Sequence, residues 1–255
     1  MKVTIITVAY NSGKTLADAI ESVLAQTYPD IEHWVIDGGS TDETLQVIRR
    51  YEQRAHGRLH WISEKDRGIY DAMNKGIARS TGDVIGILNS DDFFTSNDVI
   101  ERMVAAFEQV PDTDIVYGDV HFVKKDDLGK CVRYYSGRIF TPALIRFGYI
   151  APHTSFYIRR EVFEKYGVYD PSYQISADFE LIARFCHIHR LKRQYLHLDF
   201  VTMRMGGAST RNLKARMLGT MEDLRACKKI GIYSNRAFIF CKYIIKGASM
   251  MLIRK

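Results

Sequence analysis

Apolar and polar positions along the chain form a repeating pattern of short apolar runs, polar turns and amphipathic stretches. Val3 to Val8 is apolar and rich in β-branched residues, as a strand covered on both faces requires, and AYNSG then breaks it. Leu16, Ala19, Ile20, Val23, Leu24 and Thr27 recur at helical spacing, and Pro29 closes that segment. Ile31 to Ile36 predicts the next strand. After Asp37, Gly38 and Gly39 form a turn, and Ser40 with Glu43 reads as a capping box opening a helix through about Tyr51. Leu59 to Ile62, Ile69 to Ala78 and Val84 to Leu88 predict a third strand, a third helix and a fourth strand. This alternation implies a right-handed parallel sheet flanked by helices.

The second half is less regular. A helix is expected to open near Ser96, Ile115 to Val123 predicts a strand, DDLGK a hairpin turn, and Cys131 to Tyr135 the returning strand. Ala177 to His189 then predicts a helix, Tyr195 to Met203 a strand, GGAST a loop and Leu213 to Ile230 a helix. No internal repeat or low-complexity tract interrupts this order.

With 255 residues, 46% of them hydrophobic and 26% charged, the chain can bury a full α/β core and leaves no composition for long disordered tracts. A net charge of +6 and a pI near 9.0 favour anionic partners, among them phosphates, nucleic acid and acidic membrane surfaces. The cations thicken after Arg211. Cys131, Cys186, Cys227 and Cys241 lack the close spacing of a zinc site or a disulfide framework, which fits a reducing cytoplasm. The first apolar run is short, ends in turn-formers and reads as a strand, not a leader peptide.

In an open parallel sheet, ligands sit beyond the carboxyl ends of the strands. Here those ends are polar: Ala9-Tyr10-Asn11, Asp37-Gly38-Gly39-Ser40, Glu64-Lys65-Asp66-Arg67-Gly68 and Asn89-Ser90-Asp91-Asp92. Through TVAYN, VIDGGSTDET, EKDRGIYDAMNKGIARSTGD, ILNSDD and SADFELIAR, the sequence strongly resembles glycosyltransferase family two over residues 1 to 205. GIYDAMNKG, LNSDD and a late GG-Ser stretch are closest to bacterial polysaccharide-assembly members. The resemblance implies a GT-A fold: a Rossmann-like, mainly parallel sheet between helices. It divides the chain into a catalytic domain of residues 1–205, with a nucleotide half 1–92 and an acceptor half 93–205, followed by a helical extension 206–255.

The same resemblance assigns roles. Thr7, Ala9, Tyr10 and Asn11 belong to the donor side, with Tyr10 either stacked on a base or packed on the sheet edge. It implies a uracil-type contact for Asp37, whose carboxylate can accept from a ring N–H while the glycines let the backbone come close; a turn-forming Asp is the alternative. Asp66 falls near the nucleotide. Arg67 and Lys75 either offset phosphate charge or are solvated surface cations. NSDD occupies the place of the family's DxD motif, which puts Asp91 on a Mn²⁺ or Mg²⁺ ion, with Asn89 where many relatives carry an Asp and Ser90 beside the donor. Asp92 and His153 fall on the acceptor or diphosphate side, although a lone His is more often structural. Asp178 is implied as the catalytic base that takes the acceptor hydroxyl proton; by local chemistry alone it reads as a first-turn Asp on the helix dipole.

The implied reaction is a single in-line displacement that inverts the anomeric centre, from a nucleotide-sugar donor, on UDP in the first instance, to a carbohydrate or lipid-linked saccharide acceptor. Surface polysaccharide assembly, such as lipopolysaccharide or exopolysaccharide, is the expected setting. A nucleotidyltransferase would want a glycine-rich basic loop where Ala9-Tyr10-Asn11-Ser12-Gly13-Lys14 stands, and a dinucleotide oxidoreductase would want GxGxxG after a strand. A catalytically silent binding module is the rival from another class. No nucleic-acid partner is expected, and a homodimer remains open. Arg236 to Lys255 combines Phe238, Phe240, Tyr243, Ile244, Ile245, Met250, Met251, Leu252 and Ile253 with Lys242, Lys246, Arg254 and Lys255. It is expected to lie on an anionic membrane at the inner face of the cell, with docking on the domain or on a second subunit as the alternative.

Overall fold

The structure, a computed structural model, describes residues 1–206 and 213–252, with only the backbone path for Tyr243 and residues 246–252. Strands β1 (Val3–Ala9), β2 (Ile31–Asp37), β3 (Leu59–Ser63) and β4 (Val84–Ile87) alternate with helices α1 (Leu16–Leu24), α2 (Thr44–Arg54) and α3 (Ile69–Arg79). They lie parallel in the order β3-β2-β1-β4. Every residue of β1 and β4 is buried, which explains their uninterrupted apolar runs.

Beyond β4 the sheet changes character. β8 (Phe156–Arg159) pairs antiparallel with β4 and with β6 (Ile115–Lys124), which carries β7 (Asp127–Tyr135) antiparallel and β9 (Arg193–Arg204) parallel. β5 (Phe93–Phe94) closes the far edge on β9. Gly86 makes the junction between β4 and β8 possible: a Cβ there would stand 2.2 Å from the Tyr157 ring, so only glycine lets that ring cross β4. Helices α4 (Val99–Gln109), α5 (Arg160–Tyr166) and α6 (Ala177–Ala183) complete the second half.

Several expected boundaries move for local reasons. α1 stops at Leu24, not Thr27, because the side chain of Gln26 turns back to donate to the carbonyls of Ser22 and Ser96 and to accept from Ile100 N–H. The capping box does not form. Ser40 is committed to Asp37 and Asn11, and α2 starts at Thr44, whose N–H and hydroxyl are taken by Asp42. α4 opens at Val99, three residues after Ser96. DDLGK lies almost entirely in β7, with the turn at Lys125 and Asp126. The helix expected through His189 is α-helical only to Ala183 and continues as a π-helical turn from Arg184 to Ile188. β5, β8 and α5 are additions to the expected order.

Helices α7 (Leu213–Lys229) and α8 (Arg236–Leu252) pack on the sheet domain, since Ala226, Cys227, Ile230 and Ile239 belong to the same apolar core as Val3 and Ile85. Lys242 reaches the buried Asp223 carboxylate at 2.8 Å and joins the two helices. One face of α8 docks, with Phe238 on Phe147, while Phe240 and Ile244 stay exposed. No helix among the described residues is long and apolar enough to cross a membrane. The expected loop over Gly207 to Thr210, and Ile253, Arg254 and Lys255, lie outside the described residues, as do the side chains of Tyr243, Lys246, Met250, Met251 and Leu252.

Candidate active site

Strand register brings the polar loops together. Ala9 stands opposite Asp37 and Asp37 opposite Ser63, so β1, β2 and β3 end level, and Gly38 N–H to Ala9 and Glu64 N–H to Asp37 carry the ladder one step further. The loops open into a cleft of about 1260 Å³ whose lining includes Ala9, Tyr10, Asn11, Gly38, Asp66, Asn89, Ser90 and Asp91 on one side and His153 and Asp178 on the other.

Where β1, β2 and β3 end, the backbone is held from beneath. Asn11 sits at φ 50°, a left-handed conformation that Asn tolerates, and its side-chain oxygen accepts from Thr41 N–H at 2.9 Å. Asp37 is fully buried and does not line the cleft: its carboxylate accepts from Gly39 N–H, Ser40 N–H, the Ser40 hydroxyl and the Ser63 hydroxyl. Gly38 leaves a narrow slot, because a Cβ there would stand 2.4 Å from Asp66 Oδ2 and 3.4 Å from the Tyr10 ring. Tyr10 itself is exposed. Thr7 lies below, buried, with its hydroxyl 2.9 Å from His33 Nε2. Burial, reinforced by the charge of His60, pushes the His33 imidazole down to about 3. Lys75 braces the Glu64–Gly68 loop through the Lys65 carbonyl, Glu64 and Asp71, and Arg67 pairs with Asp71 on the surface.

The NSDD turn is fixed by one arginine. Arg204, buried at the end of β9, donates to the Asp91 carbonyl at 2.6 Å, pairs with Asp18 and gives its N–H to Asp92 Oδ1. Asp92 points inward, accepts from Asn89 Nδ2 at 3.0 Å and is pushed up to about 8 by burial, with the charge of Asp91 adding to the shift. Asn89 is thereby oriented with Oδ1 buried and without a hydrogen-bond donor. Among the described residues no cluster of three His, Cys, Asp or Glu could hold an ion alone. A lining carboxylate at Asp91 and an unpartnered amide oxygen at Asn89 nonetheless fit a hard divalent cation whose remaining ligands are phosphate oxygens.

Across the cleft, Asp178 stands in the first turn of α6 and accepts from Phe179 N–H at 2.8 Å. The Tyr70 hydroxyl, from α3, lies 3.2 Å from Asp178 Oδ1 and also contacts the Ile175 carbonyl, so two acceptors compete for one proton. Burial first, then the charge of Asp178, raises Tyr70 well above its ordinary range, so it remains a donor. Tyr169 stacks on Tyr70, meets His153 Nε2 at 2.6 Å and is fixed by Asn74 through two backbone bonds. Burial lowers His153 and keeps it neutral, against the pull of Asp178.

Sequence reasoning passed over Tyr70, Asn74, Tyr169 and Arg204. Tyr70 and Asn74 were open to discovery, because they stand one helical turn apart in GIYDAMNKG and so share a face.

The family model described as Glycosyl transferase family 2 matches residues 4–167. The chain belongs to glycosyltransferase family 2. A PGL/p-HBAD biosynthesis glycosyltransferase of Mycobacterium bovis is 30% identical over 195 residues, which are 76% of this chain and 73% of that protein. An uncharacterized glycosyltransferase of Mycobacterium tuberculosis is 32% identical over 197 residues, 71% and 68% of the two chains. Among solved structures, S. aureus TarS 1-349 superposes with a TM-score of 0.68 at 15% identity, covering 95% of this chain and 73% of that one. The mannosyltransferase PcManGT from Pyrobaculum calidifontis, in complex with GDP-Man and Mn²⁺, gives 0.65 at 19%, covering 90% and 67%. These likenesses show the GT-A fold. The chain spans 66% of the TarS fragment in complex with UDP. The family takes its description from glycosyl transfer, and the relatives above are named glycosyltransferases.

Proposed function

We propose that this glycosyltransferase moves a sugar from a nucleoside-diphosphate donor, UDP-linked in the first instance, onto an acceptor hydroxyl with inversion. The observation that carries the reading is one cleft with Asp91 and the unpartnered Asn89 oxygen on the nucleotide side and Asp178 on the other. The base would lie in the slot between Tyr10, Gly38 and Asp66, with Asp37 holding the turn beneath. Asp91 and Asn89 would hold a Mn²⁺ or Mg²⁺ ion, which when bound offsets charge on the departing diphosphate. Asp178 takes the acceptor proton as the acceptor oxygen attacks the anomeric carbon; the bond to the diphosphate breaks on the opposite face, and no enzyme nucleophile is needed. Tyr70 orients the carboxylate. The complexes of TarS with UDP-GlcNAc and of PcManGT with GDP-Man support a nucleotide-sugar donor. We place the reaction in bacterial surface glycan assembly.

Incubation with a panel of nucleotide sugars, with Mn²⁺, Mg²⁺ or a chelator, tests this reading through released nucleoside diphosphate. Slow release from one donor, lost with chelator, is expected. No release from any donor would leave a silent binding module, and formation of a nucleotide sugar from a sugar phosphate and a nucleoside triphosphate would identify a nucleotidyltransferase.

A lipid-linked acceptor gives the exposed Phe240 and Ile244 of the basic α8 a role at an anionic membrane surface. Sedimentation with anionic vesicles should be weaker for a chain ending before Arg236; equal binding by both chains, or loss of folding on truncation, would assign α8 to the core instead.

A further inference from the structure

Glu222 and Asp223 are the only acids after Asp199 in an otherwise basic stretch, and both are buried. A buried carboxylate is costly unless donors surround it. Glu222 has three: Oε1 accepts from Gln174 N–H at 2.8 Å, and Oε2 accepts from Ile175 N–H at 2.9 Å and Ser176 N–H at 3.0 Å. These are consecutive residues, and they lead directly into Ala177 and Asp178.

We propose that Glu222 is the positioning residue for Asp178, which makes α7, outside the matched family region, a working part of the catalytic centre. The proposal rests on the reading of Asp178 as base. Three charge-assisted bonds on one anion fix the backbone of three successive residues, and they set where α6 begins. Close approach is built in: Gly219, one turn before Glu222, faces Ile175 and Ser176, and the Ser176 hydroxyl donates to the Gly219 carbonyl at 3.3 Å. From the opposite side the Tyr70 hydroxyl holds the Ile175 carbonyl. The segment is thus gripped by its N–H groups from α7 and by a carbonyl from α3, while Gln174 and Ile175 themselves line the cleft. Only a carboxylate can serve here. Glutamine would offer one acceptor and turn an NH₂ group toward backbone donors.

A double-mutant cycle on the full chain separates positioning from mere stapling of the fold. Turnover is read as UDP released from the UDP-sugar that is hydrolysed in the panel above, and binding as UDP titration by calorimetry. Glu222→Gln should lower kcat about tenfold or more with UDP affinity unchanged, and Glu222→Asp, which keeps the charge, should recover part of that loss. Because Glu222 acts through Asp178, the double variant Asp178→Asn/Glu222→Gln should be no slower than Asp178→Asn alone. Multiplied losses in the double variant, or a normal kcat for Glu222→Gln beside an inactive Asp178→Asn, would overturn the proposal alone. Normal turnover by Asp178→Asn would remove the base reading beneath it. Should Glu222→Gln fail to fold, Glu222→Asp is taken through the same cycle, with the same outcomes deciding.

Discussion

The two poles of the cleft are held by bonds of different reach. On the proposed nucleotide side, Asn11 and Gly13 meet Ser40, Thr41 and Asp42 across 29 or 30 residues, within one βαβ unit. On the proposed acceptor side, Asp178 is held by Tyr70 from 108 residues away, and its approach segment by Glu222 across 46 to 48. The first pole is local chemistry at the ends of parallel strands, and the second is assembled from α3, α6 and α7. Substitutions at the first should therefore disturb donor binding with little effect elsewhere, whereas those at the second should alter turnover with the donor still bound.

Asp91, on the nucleotide side, would hold the ion at the departing diphosphate, and its loss should have the largest effect. Asp91→Ala is expected to reduce transfer roughly a hundred- to a thousandfold by removing stabilisation of the leaving group. Its donor binding should no longer respond to Mn²⁺ or Mg²⁺ in calorimetry. Unchanged metal dependence would take Asp91 off the ion.

Gly38→Ala probes the nucleotide pole alone. The added methyl would meet Asp66 Oδ2 at 2.4 Å, so the carboxylate must move or the slot close. Overpacking of about 1–3 kcal/mol, if felt as closure of the slot, corresponds to about a five- to 150-fold loss in UDP affinity. Unaltered UDP affinity would mean that the base lies elsewhere.

The effect that is smallest at neutral pH is on stability, and it grows only on acidification. His33 stays neutral in the folded chain to about 3 but titrates near 6.5 when unfolded. Below 6.5 the unfolded chain binds a proton that the folded chain refuses, so stability falls as pH drops towards 3. The contribution is up to about 1.4 kcal/mol per pH unit. Denaturant unfolding of His33→Gln across that window should show a shallower slope, and an identical slope would assign the acid sensitivity to other groups.

The same contrast explains what was legible in the sequence. Buried parallel strands announce themselves through continuous apolar runs, so β1 to β4 and the polar loops after them could be read directly, as could the GT-A fold. Ser40 shows the limit of a local signature: the capping box was intact as a pattern, but the buried Asp37 needed the hydroxyl as a donor. β8 is only four residues, three of them buried, and has no period to detect, yet it is the strand that turns the sheet antiparallel. Asp178 carried no local mark that distinguishes it from any first-turn Asp. Tyr70 and Glu222, which place it, are joined to it only by the fold.

The most direct test of the account is Asp178→Asn, assayed at saturating donor and acceptor together with UDP calorimetry. A carboxamide cannot take the acceptor proton, so turnover should fall about a hundredfold or more while UDP affinity and melting temperature stay near those of the parent chain. Near-normal turnover from the folded variant would contradict the assignment and return Asp178 to the role of a helix-dipole residue.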